Sequence, residues 1–288
     1  MLRIGPYELH AIVTGRLRLD GGAMFGVVPK VLWGTRAPPD DRNRIQLAMR
    51  TLLAIDQSAG RVILIDTGAG DKWDADEIDR FAFEIEGDLL GAGLASFGLG
   101  NDDVTDVIVT HLHFDHNGGL TVREPGEPKR CRPRFRKACH WVHQRQLDHA
   151  HSPAPKDRAS FLERDFTPVQ EAGLFETVEG DASASPLPNV SWFVADGHTP
   201  GQLLPRFHDD EVRLHYMGDL IPTAAHLPVP WIMAYDNEPL RTAGEKQRVL
   251  QECGEQGLIL FFEHDPNVAA ARIDVSRTRP EVKEAIDV

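Results

Sequence analysis

The stretch THLHFDHNGG at 110–119 constrains the fold more than any other part of the chain. Three histidines and an aspartate follow an apolar run directly, which predicts a buried strand that delivers metal ligands into a turn. Alternate residues of an extended chain point to the same side, so His111 and His113 can hold one ion. Asp115 and His116 lie past the end of the strand and can turn toward another. The pattern therefore indicates a site for two metal ions.

Other predicted strands also end in residues that bind metals. The strands and the residues that follow them are 190–195 with His198, 212–217 with Asp219, 257–262 with His264 and 61–65 with Asp66. Imidazole and carboxylate groups that converge from several strands supply the nitrogen and oxygen donors that a metal site needs. The stretch 76–94 has a helix-like pattern, and 89–99 resembles a helix that ends in glycines before the next strand. We therefore expect an α/β arrangement.

The composition limits the classes of protein to which such a site can belong. Lysine and arginine total 31 and aspartate and glutamate total 44, which gives a net charge of −13. An acidic surface repels nucleic acid and anionic membranes, and no apolar stretch is long enough to span a bilayer. The first residues lack the apolar region of a signal peptide, and three scattered cysteines do not form a disulfide framework. We expect a cytoplasmic protein that acts on a small molecule.

Several motifs together resemble those of the metallo-β-lactamase superfamily. They are HxHxDH at 111–116, GHTPG at 197–201, GD at 218–219 and the late His264, with Asp66 in the position of the superfamily's first motif. The resemblance implies an α/β (α+β) fold, a four-layer αββα sandwich of two mixed β-sheets flanked by helices. We expect one such domain over 1–288, with lid or insertion segments near 21–40 and 121–165.

The same resemblance implies a role for each candidate ligand. The first metal is held by His111, His113 and His198, the second by Asp115, His116 and His264, and Asp219 bridges the two. Asp66 orients a ligand imidazole from outside, as metal-binding histidines usually require. Two divalent zinc ions are the expected cofactors, and iron, manganese or cobalt would accept the same donors.

The intervals between motifs indicate a branch of the superfamily. His198 lies 82 residues after His116, Asp219 a further 21 and His264 a further 45. These spacings are most similar to the acyl-homoserine lactonases and methyl-parathion-type organophosphate hydrolases. Those lactonases carry a tyrosine three residues after the bridging aspartate, where this chain has Pro222. His226 and Tyr235 are the candidates to replace it.

The charge of such a centre favours hydrolysis. Two metals can lower the pKa of a shared water toward ~7 and polarise an electrophile. We therefore predict that a metal-bridged hydroxide attacks a lactone or related ester, with Asp115 and Asp219 as catalytic residues. The alternatives are a phosphotriesterase-like hydrolase and a mononuclear iron, persulfide dioxygenase-like oxidoreductase. A non-catalytic binding protein is less favoured because no ligand is missing.

Large apolar side chains predict the walls of a substrate pocket. The candidates are Phe25, Trp33, His226, Trp231 and Tyr235. If they surround the metals, the substrate has an apolar part; the alternative is that each is ordinary core. The loop at 21–34 is a clamp over the pocket, a homodimer contact or a loop folded onto its own core.

Overall fold

Two mixed seven-stranded sheets form the centre of the computed structural model, which describes residues 1–180 and 182–288. The first sheet has the order β1-β2-β3-β4-β5-β8-β9 along its width. Its strands, numbered in chain order, are β1 (Leu2–Ile4), β2 (Tyr7–Asp20), β3 (Arg44–Asp56), β4 (Arg61–Ile65), β5 (Asp106–Ile108), β8 (Cys139–His143) and β9 (Phe175–Val178). Strands β1 to β4 pair antiparallel, whereas β4, β5, β8 and β9 pair parallel.

The second sheet is formed by the C-terminal part of the chain in sequential order. Its strands are β10 (Ala182–Ala184), β11 (Val190–Ala195), β12 (Gln202–His208), β13 (Arg213–Tyr216), β14 (Ile259–Phe261), β15 (Ala270–Asp274) and β16 (Glu281–Ile286). The pair β13 and β14 is parallel because a long helix connects them, and the other neighbours are antiparallel. A separate hairpin consists of β6 (Thr121–Glu124) and β7 (Glu127–Pro133).

Eight α-helices in the described ranges connect or cover these strands. They are α1 (Gly21–Phe25), α2 (Lys30–Trp33), α3 (Ala75–Phe81), α4 (Leu89–Ala95), α5 (Phe114–Asn117), α6 (Gln144–His151), α7 (Glu163–Glu171) and α8 (Pro239–Gln256). Short 3₁₀ segments occur at Asn101–Asp103, Gly118–Leu120, Arg158–Ser160 and Ala224–His226. In the part of the chain that the structure describes, no helix is long and apolar enough to cross a membrane.

The burial of apolar residues shows four layers. One cluster lies between the sheets and includes Leu52 and Ile63 of the first sheet and Trp192 and Phe261 of the second. A second cluster packs α4, α6 and α7 on the outer face of the first sheet, and a third packs α8 on the outer face of the second. The predicted αββα sandwich is therefore confirmed.

Strand β4 shows why the sequences of the central strands are continuously apolar. Val62 and Leu64 point into the outer cluster, whereas Ile63 and Ile65 point into the cluster between the sheets. A strand covered on both faces cannot alternate apolar and polar residues. Such strands end abruptly where polar residues begin, and these ends position the candidate ligands.

Glycines after the HxHxDH motif allow two loops to pack closely. A Cβ atom at Gly118 would lie 2.1 Å from the carbonyl oxygen of Ala69, and one at Gly119 would lie 2.4 Å from that of Thr67. These contacts join the loop after β4 to the helix α5 that carries Asp115 and His116. Any side chain at either glycine would push the two loops apart.

Three segments named in the sequence analysis lie at the periphery or contribute to it. The helical pattern at 76–94 corresponds to two helices, because the chain turns at Ala82, whose φ is 46°, and at Gly87, whose φ is 76°. The segment 121–165, predicted as a lid or insertion, contains the hairpin β6 and β7 as well as β8, which pairs within the first sheet. The segment 21–40 forms α1 and α2, with part of it buried and Val27 and Val31 exposed.

Candidate metal centre

Seven buried side chains from the two sheets meet at one edge of the sandwich. A first group consists of His111, His113, His198 and Asp219, and a second group consists of Asp115, His116 and His264. Within each group the candidate ligand atoms all lie within 4.8 Å of one another. The HxHxDH stretch follows β5 of the first sheet, whereas the other three residues follow β11, β13 and β14 of the second. The sequence pattern thus brings together residues that lie far apart in the chain.

Asp219 lies between the two groups and presents one oxygen to each. Its Oδ2 is 3.2 Å from His198 Nε2 and 4.0 Å from His111 Nε2. Its Oδ1 is 3.2 Å from His264 Nε2 and 3.5 Å from His116 Nε2. This is the arrangement that a carboxylate needs to contact two ions at once.

Unpartnered polar atoms test whether these residues fit metal ions. Among the described residues, His111 Nε2, His113 Nε2 and Asp219 Oδ1 are buried without a hydrogen-bond partner. Leaving such an atom unsatisfied costs about 1–3 kcal/mol, so native proteins rarely do so without a reason. Imidazole and carboxylate donors directed at two common points suit a pair of divalent cations. The residues therefore fit the metals that the resemblance implies.

The electrostatics of the two groups also favour cations. Burial, followed by neighbouring imidazoles, lowers the pKa of His111 and His113 well below the usual value, so both rings are neutral as metal binding requires. Burial acts in the same direction on His264, but Asp219 outweighs it and raises the pKa of His264 to about 9. Burial raises the pKa of Asp219, but the surrounding histidines hold it well below the usual value. The second group thus attracts positive charge.

Hydrogen bonds hold the ligand imidazoles by their other ring nitrogens. His198 Nδ1 lies 2.9 Å from Asp236 Oδ1, and His264 Nδ1 lies 2.7 Å from the carbonyl oxygen of Ala48. His116 Nδ1 lies 3.1 Å from Asp66 Oδ2. Partners of this kind select the tautomer and leave Nε2 free to face a metal ion.

Asp66 connects the ends of two neighbouring strands. Its carboxylate accepts hydrogen bonds from the backbone N–H and the hydroxyl of Thr110, at 2.8 and 2.6 Å, in addition to facing His116. Its φ is 56°, in the left-handed region that is costly for residues other than glycine. The structure thus places Asp66 where the sequence prediction needs it, beside a ligand imidazole.

Two buried carboxylates beside the ligands were not predicted from the sequence. One is Asp236, the partner of His198. The other is Glu263, whose Oε2 lies 2.9 Å from His116 Nδ1. Burial raises the pKa of Glu263 to about 8 although His116 opposes this shift. Glu263 could have been identified from the sequence because it directly precedes the candidate ligand His264. Nothing in the sequence around Asp236 indicates that it contacts His198.

One family model matches the part of the chain that contains the first half of the candidate ligands. The model of the metallo-beta-lactamase superfamily matches residues 51–122, which include Asp66 and the whole HxHxDH motif. No curated protein sequence matches the chain.

Solved structures with the same fold include several proteins that are named as hydrolases or lactonases. A probable metal-dependent hydrolase from Staphylococcus aureus is 28% identical, with a TM-score of 0.88 over 100% of this chain and 99% of the other. The dizinc quorum-quenching lactonase AidC, in complex with a product, is 18% identical, with a TM-score of 0.80 over 100% and 97%. An N-acyl homoserine lactone hydrolase with its product at the catalytic metal centre is 19% identical, with a TM-score of 0.67 over 92% and 95%.

A cavity of about 310 Å³ opens beside both metal groups. Its metal-facing side contains His113, Asp115, His198, Asp219 and His264. Its apolar wall contains Leu19, Met24, Leu47, Phe81, Phe114 and Met233. This is the combination of an apolar enclosure with a few convergent polar groups that is typical of small-molecule sites.

The aromatic residues predicted to line the pocket lie mostly behind it. Phe25 stacks on Trp33 and His226, at ring-centroid distances of 5.3 and 4.5 Å, and meets the edge of Trp231 at 5.7 Å. All four are buried, and none is among the residues that line the cavity. The structure therefore places them in the core that supports the apolar wall.

His226 is held in this core by two hydrogen bonds. Its Nε2 donates to the carbonyl oxygen of Met24 at 2.8 Å, and its Nδ1 accepts from Thr223 Oγ1 at 2.7 Å. Burial lowers the pKa of His226 to about 3. With both nitrogens engaged, the ring has no atom left for a substrate.

Tyr235 is the predicted pocket residue that does line the cavity. Its side chain is partly exposed, and burial raises the pKa of its hydroxyl to about 12, with smaller contributions from Asp20, Asp115 and Asp219. The hydroxyl is therefore neutral and can donate a hydrogen bond into the cavity, which Asp115 and Asp219 also line.

Proposed function

We propose that the protein is a dinuclear metal hydrolase that cleaves a lactone or related ester with an apolar part. The observation that carries the proposal is the position of Asp219, with one oxygen on each of two buried ligand groups beside an apolar cavity. The names of the solved lactonases with this fold support the same substrate class.

The proposed ligands are the seven residues of the two groups. His111, His113 and His198 would hold one ion, Asp115, His116 and His264 the other, and Asp219 both. Zinc is the proposed metal because imidazole and carboxylate donors suit it. When bound, a pair of such ions supplies Lewis acidity that activates water and polarises the ester carbonyl.

The cavity residues hold the ester against this centre. The apolar wall binds the acyl part and excludes water from it, which fixes the scissile bond beside the metal groups. The Tyr235 hydroxyl donates a hydrogen bond to the carbonyl oxygen as negative charge develops there. In this role it replaces the lactonase tyrosine, for which the chain has Pro222.

Asp115 is the proposed carrier of the proton. Its Oδ2 lies 3.7 Å from His264 Nε2, and its carboxylate also lines the cavity. Hydrolysis adds the hydroxyl of water to the acyl carbon and the remaining proton to the departing alcohol oxygen. Asp115 receives that proton from water and delivers it to the leaving oxygen.

The complete second group favours this proposal over the mononuclear iron alternative. An enzyme that uses one metal has no need of Asp115, His116 and His264 as a second convergent set within 4.8 Å. Phosphotriester cleavage would use the same residues, so phosphotriesters are included among the substrates tested below.

The test is a substrate panel on metal-reconstituted protein, with lactones, aryl esters, phosphotriesters and thioesters. We expect metal-dependent cleavage of lactones or esters and about two metals per chain by elemental analysis. Asp219→Ala should lose both metal content and at least ~100-fold in kcat/KM, since it removes a shared ligand. The exposed Asp210→Ala is the matched control and should retain both. Full activity of Asp219→Ala, or one iron with oxygen uptake, would contradict the proposal.

A further inference from the structure

One segment contributes both a cation and other polar residues to the lining of the cavity. Lys156, Asp157, Ala159 and Ser160 belong to this lining. Among the described residues that line the cavity, Lys156 is the only lysine or arginine. A cation at this place is notable because the chain as a whole has a net charge of −13.

The ammonium group of Lys156 is not neutralised by the protein. Its Nζ donates to the backbone carbonyl of Asp236, and within 1–180 and 182–288 no carboxylate lies at ion-pair distance from it. The adjacent Asp157 is engaged elsewhere, because its Oδ2 lies 2.7 Å from His149 Nε2 and accepts from Asn237 Nδ2 at 2.6 Å. The Lys156 ammonium therefore has no ion-pair partner among the carboxylates that line the cavity, which are Asp115, Asp157 and Asp219.

The same contacts fix where the ammonium lies. Asp236 binds Lys156 through its carbonyl and His198 through its carboxylate, so Lys156 lies on the His198 side of the cavity. The backbone N–H of Asn237 donates to the carbonyl of His198 at 3.1 Å. Asp157 is buried and anchors the loop to Asn237, so the position of Lys156 is set before a substrate binds.

We propose that the substrate carries an anionic group of the carboxylate class, away from the bond that is cleaved, and that Lys156 recognises this group. The inference rests on the proposed function and narrows its substrate class to esters with both an apolar and an anionic part. A cation at the rim of a cavity both attracts such a substrate and orients it. The carbonyl of Asp236 keeps the ammonium in place without cancelling its charge.

Two aryl esters of equal acyl length test this inference on the metal-reconstituted full chain. The neutral ester is para-nitrophenyl hexanoate, and the anionic ester is mono-para-nitrophenyl adipate. The quantity measured is the charge preference, defined as kcat/KM for the adipate ester divided by that for the hexanoate ester. We expect a preference of about tenfold for the wild type, the size of one hydrogen bond between charged groups.

Substitutions at Lys156 should change this ratio in a graded way. Lys156→Met should lower the charge preference about tenfold, Lys156→Glu should reverse it, and Lys156→Arg should retain most of it. The control is Arg158→Met, which removes an exposed cation two residues away that does not line the cavity. This control should keep the wild-type ratio, and added salt should lower the ratio of the wild type.

Two outcomes would overturn the inference while the proposed function stands. One is a wild-type enzyme that hydrolyses both esters without preferring the adipate. The other is a Lys156→Met variant in which both kcat/KM values fall equally, which would mean that Lys156 only supports the loop. If metal-loaded wild type hydrolyses neither ester nor any lactone, the proposed function itself fails and this inference fails with it.

Discussion

The residues that surround the candidate ligands determine the site as much as the ligands do. Each of His116, His198 and His264 has its Nδ1 held by an oxygen of another segment. A histidine with a free Nδ1 could rotate or change tautomer, and metal affinity would fall. These three contacts therefore fix the orientation of imidazole rings that come from different sheets.

One prediction concerns the hydroxyl group of Tyr235. Tyr235→Phe removes the neutral hydroxyl beside the metals, and kcat should fall about tenfold or more while metal content stays the same. Steady-state kinetics and elemental analysis check this. The control is Tyr7→Phe, which removes a buried hydroxyl between the sheets, far from the cavity. A Tyr235→Phe enzyme with the wild-type kcat would exclude Tyr235 from stabilising the developing charge.

Most of the candidate ligands could be predicted because each follows an apolar strand directly. Asp236 could not, since its contact with His198 joins segments separated by 38 residues and depends on how the loop folds. The aromatic residues were misplaced for a different reason. Phe25 and Trp33 have the size and polarity of pocket residues, but only tertiary packing decides whether such a ring faces a cavity or lies behind it.

Helix α8 illustrates how one element fixes the cavity wall. Lys246 on this helix is fully buried, and its Nζ donates to the carbonyl oxygens of His226, Pro228 and Trp231 at 2.6, 3.1 and 2.6 Å. A loop that lacks regular structure leaves carbonyl groups without partners, and here one ammonium satisfies three of them. The residues that Lys246 contacts lie just before Met233 and Tyr235 of the cavity lining. Lys246 therefore links helix α8 to the wall of the cavity.

The titration of Lys246 should make stability depend on pH. Burial lowers its pKa to about 7 in the folded chain, against about 10.4 when unfolded. Between these values the unfolded chain binds one more proton, so the free energy of unfolding should rise with pH, by up to ~1.4 kcal/mol per unit. Urea unfolding at pH 7 and at pH 9 measures this rise.

Comparison with a variant isolates the effect of Lys246. Lys246→Met cannot titrate, so the stability of the wild type relative to this variant should increase from pH 7 to pH 9. Replacing the exposed Lys283 by Met is the matched control and should leave the pH dependence as in the wild type. Parallel curves for the wild type and Lys246→Met would show that Lys246 does not titrate in this range.

Elements were predicted best where periodicity is uninterrupted. Strand β3 and the central strand β4 follow their apolar patterns closely. The helix-like stretch 76–94 is divided between α3 and α4, and in the interval Glu84 pairs through its backbone with Arg16 of β2. A pairing of this kind depends on residues far away in sequence, so the helical pattern alone could not show it.

At the scale of the whole molecule, the candidate metal centre joins the two sheets. The first sheet supplies the HxHxDH segment, and the second supplies His198, Asp219 and His264. Ions bound by both sheets would oppose their separation, in addition to the apolar cluster between them. Metal binding and folding should therefore be linked.

Metal removal should lower the melting temperature of the protein. Ligands that bind only the folded chain stabilise it by about 2.7 kcal/mol at a concentration of 100 Kd, so Tm should rise with added zinc and fall with a chelator. Calorimetry or circular dichroism measures the shift. The Asp219→Ala variant should show a smaller shift, because it lacks the ligand shared by both groups. Equal melting temperatures with and without metal would contradict the link.

The segment 233–238 contributes both to the cavity and to the metal centre. Few substitutions in this segment can therefore change the substrate specificity without affecting the metal centre. Met233 and Tyr235 line the cavity, whereas Asp236 and Asn237 hold His198. Substitutions that reshape this wall therefore also disturb a ligand. Ala159 and Ser160 also line the cavity but do not hold a candidate ligand, so substitutions there can change specificity with less effect on the metal centre.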